Sequence, residues 1–459
     1  MSERTHLPVI EQQGTIQKDG SRKFVHPADV KGRFTRLRYV VFAVLVGVYL
    51  ALPFVHINGR PAVFLDVPHR RFFLFGASFN AQDFWLVFFL LSGVGFLLFL
   101  VTTLLGRVWC GYACPQTVFL EGIYRRVERL LEGPSQVRIR RNAASWNLDK
   151  IWRKTVKHAL FVGISLFLSH FFLSYFVSLP SLWEMMRGSP AEHPAAFAWS
   201  MGMSGVLYLN FAWFREQLCL IVCPYGRLQS LLTDDDTLVI GYDEGRGEPR
   251  GKVSDPTAAD CIDCRRCVAV CPTGIDIRNG LQIECIGCAA CIDACDEIMD
   301  KVGRPRGLIR YDSLNGLAGA KRRFLRPRLG LYAVLGAVGL VVALFAFRTH
   351  VAYEANLLRV SDTPYVVEGE RVRNSFHIHL VNKRDEPEVF EIEPVPTPGL
   401  RYTVSMREVT LKPLSDLHVP LFVQGTLGAL PAEPRARVVV TPASGEPRTV
   451  DAAFVAPRD

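Results

Sequence analysis

Apolar residues in this chain gather into blocks. Five of them, at 39–55, 84–105, 159–179, 195–214 and 329–347, contain no Asp, Glu, Lys or Arg. Crossing a hydrocarbon core takes about 20 helical residues, so the pattern predicts five transmembrane helices. A buried helix of a soluble protein reaches this apolarity once, hardly five times in one chain. The first block starts too far in, and has too many successors, to be a cleaved signal peptide. Beyond the last block the pattern becomes alternation. Stretches such as 375–381, 402–406 and 435–440 switch between apolar and polar positions, with Pro/Gly-rich turns at 396–399 and 444–447. This period predicts about seven or eight strands in 350–459 and a β-sandwich of immunoglobulin type.

Composition narrows the class. The 459 residues are 49% apolar and 21% charged, with a net charge of +9. Disorder of the whole chain is excluded, because there is ample apolar surface to bury. The basic excess is local. Residues 106–157 hold 11 Lys+Arg against 4 Asp+Glu. Lys31, Arg33, Arg36 and Arg38 precede the first block, and Lys321, Arg322, Arg323, Arg326 and Arg328 precede the fifth. If all five blocks cross, these regions share one side, which the positive-inside rule makes cytoplasmic. Arg60, Arg70 and Arg71 in the first outer loop run weakly against it. The N-terminus is then inside and the C-terminus outside. The charge reads as a topology signal and a contact with membrane lipids, and nucleic acid is not an expected partner.

All 12 cysteines fall in four short clusters. Cys261, Cys264, Cys267 and Cys271, followed by Pro272, have the C-x2-C-x2-C-x3-C-P spacing of bacterial ferredoxins. Cys285, Cys288, Cys291 and Cys295 repeat it, with Asp296 in the place of proline. Three thiolates at three-residue intervals wrap one face of a cubane, and the fourth reaches the other cluster. The expected ligands are therefore Cys261, Cys264, Cys267 and Cys295 for one [4Fe-4S] cluster, and Cys285, Cys288, Cys291 and Cys271 for the other. A pair of zinc knuckles is the other reading, and eight cysteines at this doubled spacing without histidine speak against it. Such a domain transfers single electrons.

The chain then divides into a cytoplasmic tail at 1–38, a four-helix membrane region at 39–232 with the basic loop 106–157, a linker at 233–258, the two-cluster ferredoxin domain at 259–300, a basic linker at 301–328, the fifth helix at 329–347 and an outer domain at 350–459. Within the basic loop, 132–150 with Trp146, and Ile151 and Trp152 beyond it, reads either as an interfacial amphipathic helix or as a solvated loop.

The other four cysteines form two half-motifs. Cys110 and Cys114 precede Pro115 after the second block; Cys219 and Cys223 precede Pro224 after the fourth. If helical, the i, i+4 spacing puts two sulfurs on one face. Two such faces meeting offer four thiolates, which suit Cu(I) or an iron–sulfur cluster. Buried inert thiols and a thiol/disulfide pair are the other readings.

These features resemble the CcoG/FixG/RdxA family of cytochrome c oxidase accessory proteins and, more distantly, the NapH and NosR membrane ferredoxins. The resemblance rests on CGYACPQTVFLEGIYRRVER from Cys110, on CPYGRLQS from Cys223, on the double ferredoxin run and on the order of apolar blocks. It implies a multi-pass protein of the bacterial inner membrane that reduces Cu(II) to Cu(I) during copper supply to cbb3-type oxidase, and it agrees with an immunoglobulin-like end domain. On that reading Cys110, Cys114, Cys219 and Cys223 are both the catalytic and the copper-binding residues. The partners implied are a cytoplasmic electron donor, copper chaperones and oxidase assembly components; a homodimer is compatible. The alternatives are a quinol-linked conduit of NapH or NosR type, and a non-catalytic assembly factor whose clusters sense redox state.

Other candidate ligands carry less. His377 and His379 share a strand face but have no third ligand in the pattern, so they read as structural. His158 and His170 are 12 residues apart, about 18 Å of rise and about 120° of rotation, too far for one iron on one helix. Met185, Met186, Met201 and Met203, with His193 among them, are either soft copper ligands or gap-fillers. Single reporter cysteines placed in 350–459 should react with an impermeant reagent outside intact inner membranes, and those in 225–325 should not. Labelling of the ferredoxin segment from outside would invert the topology.

Overall fold

The computed structural model describes residues 24–457 apart from 58, 69–70, 81–83, 349–352, 361–363, 385 and 432. Most of the tail expected at 1–38 lies outside the described residues. The chain divides into two compact units. One takes residues up to 65 together with 88–341, the other 66–87 and 342 onward.

Four helices in the described residues are long and apolar enough to cross a membrane: Arg33–Phe54, Phe88–Leu105, Leu148–Leu173 and Pro327–Phe345. The block expected at 195–214 differs. It is a 16-residue α-helix, Pro194–Leu209, continued by a π-helical turn, Asn210–Phe214. The widened turn begins where Asn210 exchanges amide hydrogen bonds with Gln116, at 2.7 and 3.3 Å. Such a polar tie is a tertiary event, invisible to a hydropathy pattern. The block expected at 159–179 is also shifted. Its helix starts at Leu148, because the Asn147 side chain accepts a hydrogen bond from the Lys150 N–H at 2.8 Å and caps it. Ile151 and Trp152 sit exposed on its first turns, and Trp146 just before it. The segment 132–150 is thus split between a helix at Ser135–Ala143 and the start of the longer one.

Glycine sets one helix contact in this unit. A Cβ on Gly339 would lie 2.9 Å from the Gly93 Cα, so the helices carrying them approach backbone to backbone.

The segments expected as linkers carry strands. β1 (Val239–Tyr242) and β2 (Ile309–Asp312) pair antiparallel across nearly 70 residues and close the ferredoxin domain from both flanks. Arg310 on β2 meets Asp243 at 2.6 Å. Ile240, Tyr242 and Ile309 pack with Cys261, Cys267 and Ile292 in one apolar cluster. The domain also caps one of the long apolar helices. Asp293, on the helix Ala290–Val302, accepts hydrogen bonds from the Thr35 N–H and hydroxyl, both at 2.7 Å. These satisfy the open first turn of the helix Arg33–Ala51, whose own N-cap, Gly32, has no side chain to do so. A Cβ on Gly32 would strike the Asp293 carboxylate at 2.1 Å.

Part of the basic loop is buried, together with Arg215 and Glu216 from further along the chain. Glu128, Glu132, Arg125, Arg138, Lys157, Arg215 and Glu216 are all under 9% exposed. Glu128 binds Arg215, stands 3.3 Å from Arg138 and 3.8 Å from Lys157, while Lys157 meets Glu132 at 3.0 Å. Arg125 pairs with Glu121 and, at 3.1 Å, with Glu216.

In the second unit, a hairpin joins Arg71–Leu74 to Ala77–Asn80, and 350–457 forms two antiparallel sheets. Their strands are β3 (Tyr353–Arg359), β4 (Val366–Glu368), β5 (Arg371–Asn382), β6 (Glu388–Pro394), β7 (Leu400–Val404), β8 (Glu408–Leu411), β9 (Asp416–Thr426), β10 (Arg435–Pro442) and β11 (Arg448–Ala453). One sheet has the order β7-β9-β5-β3, with β4 beside β5; the other is β8-β6-β10-β11. Inward residues Phe376, Ile378, Leu380, Phe390, Ile392, Val419, Leu421, Val438 and Val440 are at most 1% exposed and fill the space between the sheets.

Burial pushes the Glu128 carboxyl up, but Arg215, Lys157 and Arg138 outweigh it and bring the group down to about 2. A depressed acid contributes stability above its unfolded pKa and loses it as pH falls through the folded one. Glu128→Gln should therefore destabilise the protein near neutrality by about 3–5 kcal/mol, because it strands buried cations. Thermal denaturation in detergent measures it, and the deficit should narrow as pH falls below about 4.5.

Candidate metal centres

The two ferredoxin runs fold as loops that turn around their cysteines. Asp263, Arg265, Gly287 and Ala289, each next to or between cysteines, have positive φ of 48°, 52°, 66° and 61°. Alternation of right- and left-handed residues turns successive N–H groups to one side, the concavity that suits anionic sulfur sites. The sulfurs group across the runs. Cys295 lies in the electrostatic field of Cys267, Cys261 and Cys264. Cys285 and Cys288 each feel Cys271, and Cys291 feels Cys288, Cys285 and Cys271 and, last, Cys267. The last sulfur of each run thus stands among the sulfurs of the other, with Cys267 and Cys291 also within reach of one another. Burial pushes the Cys267, Cys285 and Cys295 thiols up to about 12. A buried thiolate needs compensating positive charge, which iron supplies. Eight cysteines in two such sets, with no histidine among them, fit two [4Fe-4S] groups.

The half-motifs are not continuous helices. Cys110 sits in a five-residue helix, Val108–Tyr112, which stops. Cys114 is extended, φ −63° and ψ 126°, and a new helix starts at Pro115. The second half-motif repeats the device. Cys219 lies in the π-turn Leu218–Val222, and Cys223 is extended, φ −64° and ψ 110°, before the helix from Pro224. Proline drives a preceding residue out of the helical region and then serves as first residue of the next helix. The expectation of two sulfurs on one helical face is corrected accordingly: each second cysteine stands at a break.

The two half-motifs nonetheless meet. Cys219 feels Cys114, Cys110 and Cys223, and Cys110 feels Cys114 and Cys223. Burial pushes Cys110 up to about 11 and Cys219 up to about 12. Among the described residues, the only set of three or more His, Cys, Asp or Glu ligand atoms within 4.8 Å of one another contains no cysteine. No three of the four half-motif sulfurs lie within 4.8 Å of one another. Gln229, fully buried, donates from Nε2 to the Cys110 sulfur at 3.3 Å.

The half-motif site abuts the ferredoxin domain. A Cβ on Gly111 would lie 2.8 Å from the Ile286 carbonyl oxygen and 2.9 Å from the Cys288 Cα. Cys110 packs against the cluster of Val270, Ile286, Cys288 and Ala290. Arg107 donates to the Gly226 carbonyl at 3.1 Å and to the Ile283 carbonyl, bridging the second half-motif and the second ferredoxin run. Arg38, buried, donates to the Gly111 carbonyl at 3.0 Å and lies in the field of Cys288. Arg125 donates twice to the Pro272 carbonyl at 3.1 Å. Gln229, Arg38 and Arg107 went unmarked as site residues in the sequence. Gln229 falls within the CPYGRLQS stretch, whereas the arginines were indistinguishable from their basic surroundings.

The remaining sequence candidates divide. His158 Nδ1 is 3.0 Å from the Tyr208 hydroxyl, and His170 Nδ1 is 2.8 Å from the Leu166 carbonyl. Both are hydrogen-bonded within the helix bundle. Met185, Met186, Met201 and His193 line one cavity of about 200 Å³ together with His170; Met203 does not.

Comparison with known proteins follows the same division. Residues 214–314 match a family model described as a 4Fe-4S dicluster domain, and residues 86–134 one described as a 4Fe-4S binding domain. Residues 343–457 match the IG-like fold at the C-terminus of FixG. Protein RdxA of Cereibacter sphaeroides is 38% identical over 395 residues, 83% of this chain and 84% of that one. The nitrogen fixation protein FixG of Rhizobium meliloti is 36% identical over 457 residues, 88% and 87% of the two. Among solved structures, a FixG-related protein from Vibrio parahaemolyticus covers 23% of this chain and 97% of its own, at 16% identity and a TM-score of 0.21.

The contact of Gly111 with the second run yields a direct test. Gly111→Ala should force the loops apart, cost about 1–3 kcal/mol and change the spin-resonance line shape of one cluster only. Gly202→Ala, whose Cβ meets nothing within 4 Å, should leave the spectrum unchanged.

Proposed function

For a chain that belongs to the FixG and RdxA family of iron–sulfur electron-transfer proteins, we propose that it reduces Cu(II) to Cu(I) at Cys110, Cys114, Cys219 and Cys223. The observation that carries the reading is the seating of Cys110 and Gly111 directly on Ile286 and Cys288. Cys261, Cys264, Cys267 and Cys295 would hold one [4Fe-4S] group, and Cys285, Cys288, Cys291 and Cys271 the other. When bound, these groups supply electrons singly, which matches Cu(II) + e⁻ → Cu(I). The residues of this chain do the rest. Arg107 and Arg38 hold the two sites in register. The Gln229 amide fixes the Cys110 sulfur. Burial keeps free thiols protonated, so a metal entering the site displaces protons and meets soft sulfur, which favours the monovalent state.

The membrane reading belongs to the same proposal. The protein spans the bacterial inner membrane with the ferredoxin segment inside and the sandwich outside, and its copper serves cbb3-type oxidase assembly. The basic flanks at 106–157 and 321–328 support that orientation.

The test is the double substitution Cys110→Ser and Cys114→Ser. Parent protein should carry about eight irons and, reduced and freed of reductant, should convert Cu(II) to Cu(I) as read by a Cu(I)-specific chelator. The variant should keep the optical and spin-resonance spectra of both clusters and lose the conversion. Reduction at the parent rate would overturn the assignment. A drop in iron would identify the four cysteines as ligands of a third cluster instead.

A further inference from the structure

The outer face of one sheet in the second unit gathers the ligands that the sequence lacked for His377 and His379. On β5 every second residue points inward, from Val372 through Asn382, so His377 and His379 point out together. β9 lies antiparallel beside it, with Asp416 and His418 on the same outward face. The register sets His379 opposite His418, His377 opposite Pro420 and Asp416 opposite Val381. His418 is therefore flanked by both β5 histidines, and Asp416 is diagonal to His379. The rings of His379 and His418 are 4.3 Å apart, and those of His377 and His418 are 5.8 Å apart. His379 Nε2 is 3.3 Å from the Asp416 carboxylate. Ligand atoms of His379, Asp416 and His418 all lie within 4.8 Å of one another.

We propose that His379, His418 and Asp416, with His377 alongside, form a divalent-metal site on this face, and that its preferred ion is Cu(II). Imidazole and carboxylate are the ligand set of Cu(II), Ni(II) and Zn(II), and Cu(II) leads that series in affinity. A metal takes nitrogen ligands at about 2.0–2.1 Å, so the stacked rings of His379 and His418 turn apart to point at a common centre. His418 and Asp416 are exposed and free to make that turn. The strands beneath are held by 11 residue pairs of ladder and by the fully buried Ile378, Leu380, Val419 and Leu421. The scaffold is rigid while the ligands are accessible. Three imidazoles and a carboxylate at one spot add nothing to the sandwich core, which lies on the opposite face. The site differs in chemistry from the four cysteines: nitrogen and oxygen donors suit the divalent ion, sulfur the monovalent one. It stands whether or not the chain reduces copper.

The test uses the full chain in detergent with its clusters oxidised, and copper(II) sulfate as the probe. Parent protein with one equivalent of Cu(II) should show an axial spin-resonance signal split by imidazole nitrogens. The double substitution His379→Gln and His418→Gln should abolish that splitting and weaken Cu(II) binding at least about tenfold, with the melting temperature and cluster absorbance unchanged. His418→Gln alone, at an exposed position, gives the same readout should the double variant melt early. The same nitrogen-split signal and affinity in these variants would overturn the site.

Discussion

One backbone contact organises the first unit. Gly111, between the two cysteines of the first half-motif, lies so close to Ile286 and Cys288 that a single methyl group would collide with main-chain atoms. On the other side Gly287, at φ +66°, presses against the Arg107 backbone. Two glycines thus let two cysteine-bearing loops touch without intervening side chains. The consequence is electronic as much as steric. Tunnelling partners must be near, and here the second ferredoxin run and the half-motif share one apolar cluster. The clamp of Arg107 and the hydrogen bond of Arg38 then hold what the glycines allow.

Charge in this chain serves two purposes that the net value hides. Some of the basic residues at 106–157 are exposed, as a lipid-facing signal would be. Others are structural. Arg125, Arg138 and Lys157 are buried with Glu128, Glu132 and Glu216, and Arg125 reaches the Pro272 carbonyl at the end of the first ferredoxin run. Removing either partner of such a set leaves an uncompensated charge, which costs far more than a surface pair gains. The electrostatic knot therefore ties the basic loop to the ferredoxin domain. Asp293 does the same from the other direction, by capping a helix that is distant in sequence.

The amino-acid sequence determined the features that rest on local spacing or period. The ferredoxin runs were legible because a cubane needs thiolates at fixed short intervals. The apolar helices were legible because a bilayer needs length, and the sandwich because a half-buried strand alternates. What depended on distant partners was not. The π-turn at Asn210 coincides with its amide exchange with Gln116, so the 195–214 block reads as one regular α-helix until the fold is known. The half-motifs read as i, i+4 pairs, yet the prolines break both, and the four sulfurs converge only because two chain segments more than 100 residues apart are packed together. The supposed linkers pair as β1 and β2 because their partners lie on opposite flanks of the ferredoxin domain. His377 and His379 lacked a third ligand in sequence, since Asp416 and His418 arrive from a strand about 40 residues on, through a register that only sheet pairing sets. Local chemistry was written in the order of residues; the company each group keeps was decided by tertiary packing, because contact in space carries no signature in sequence separation.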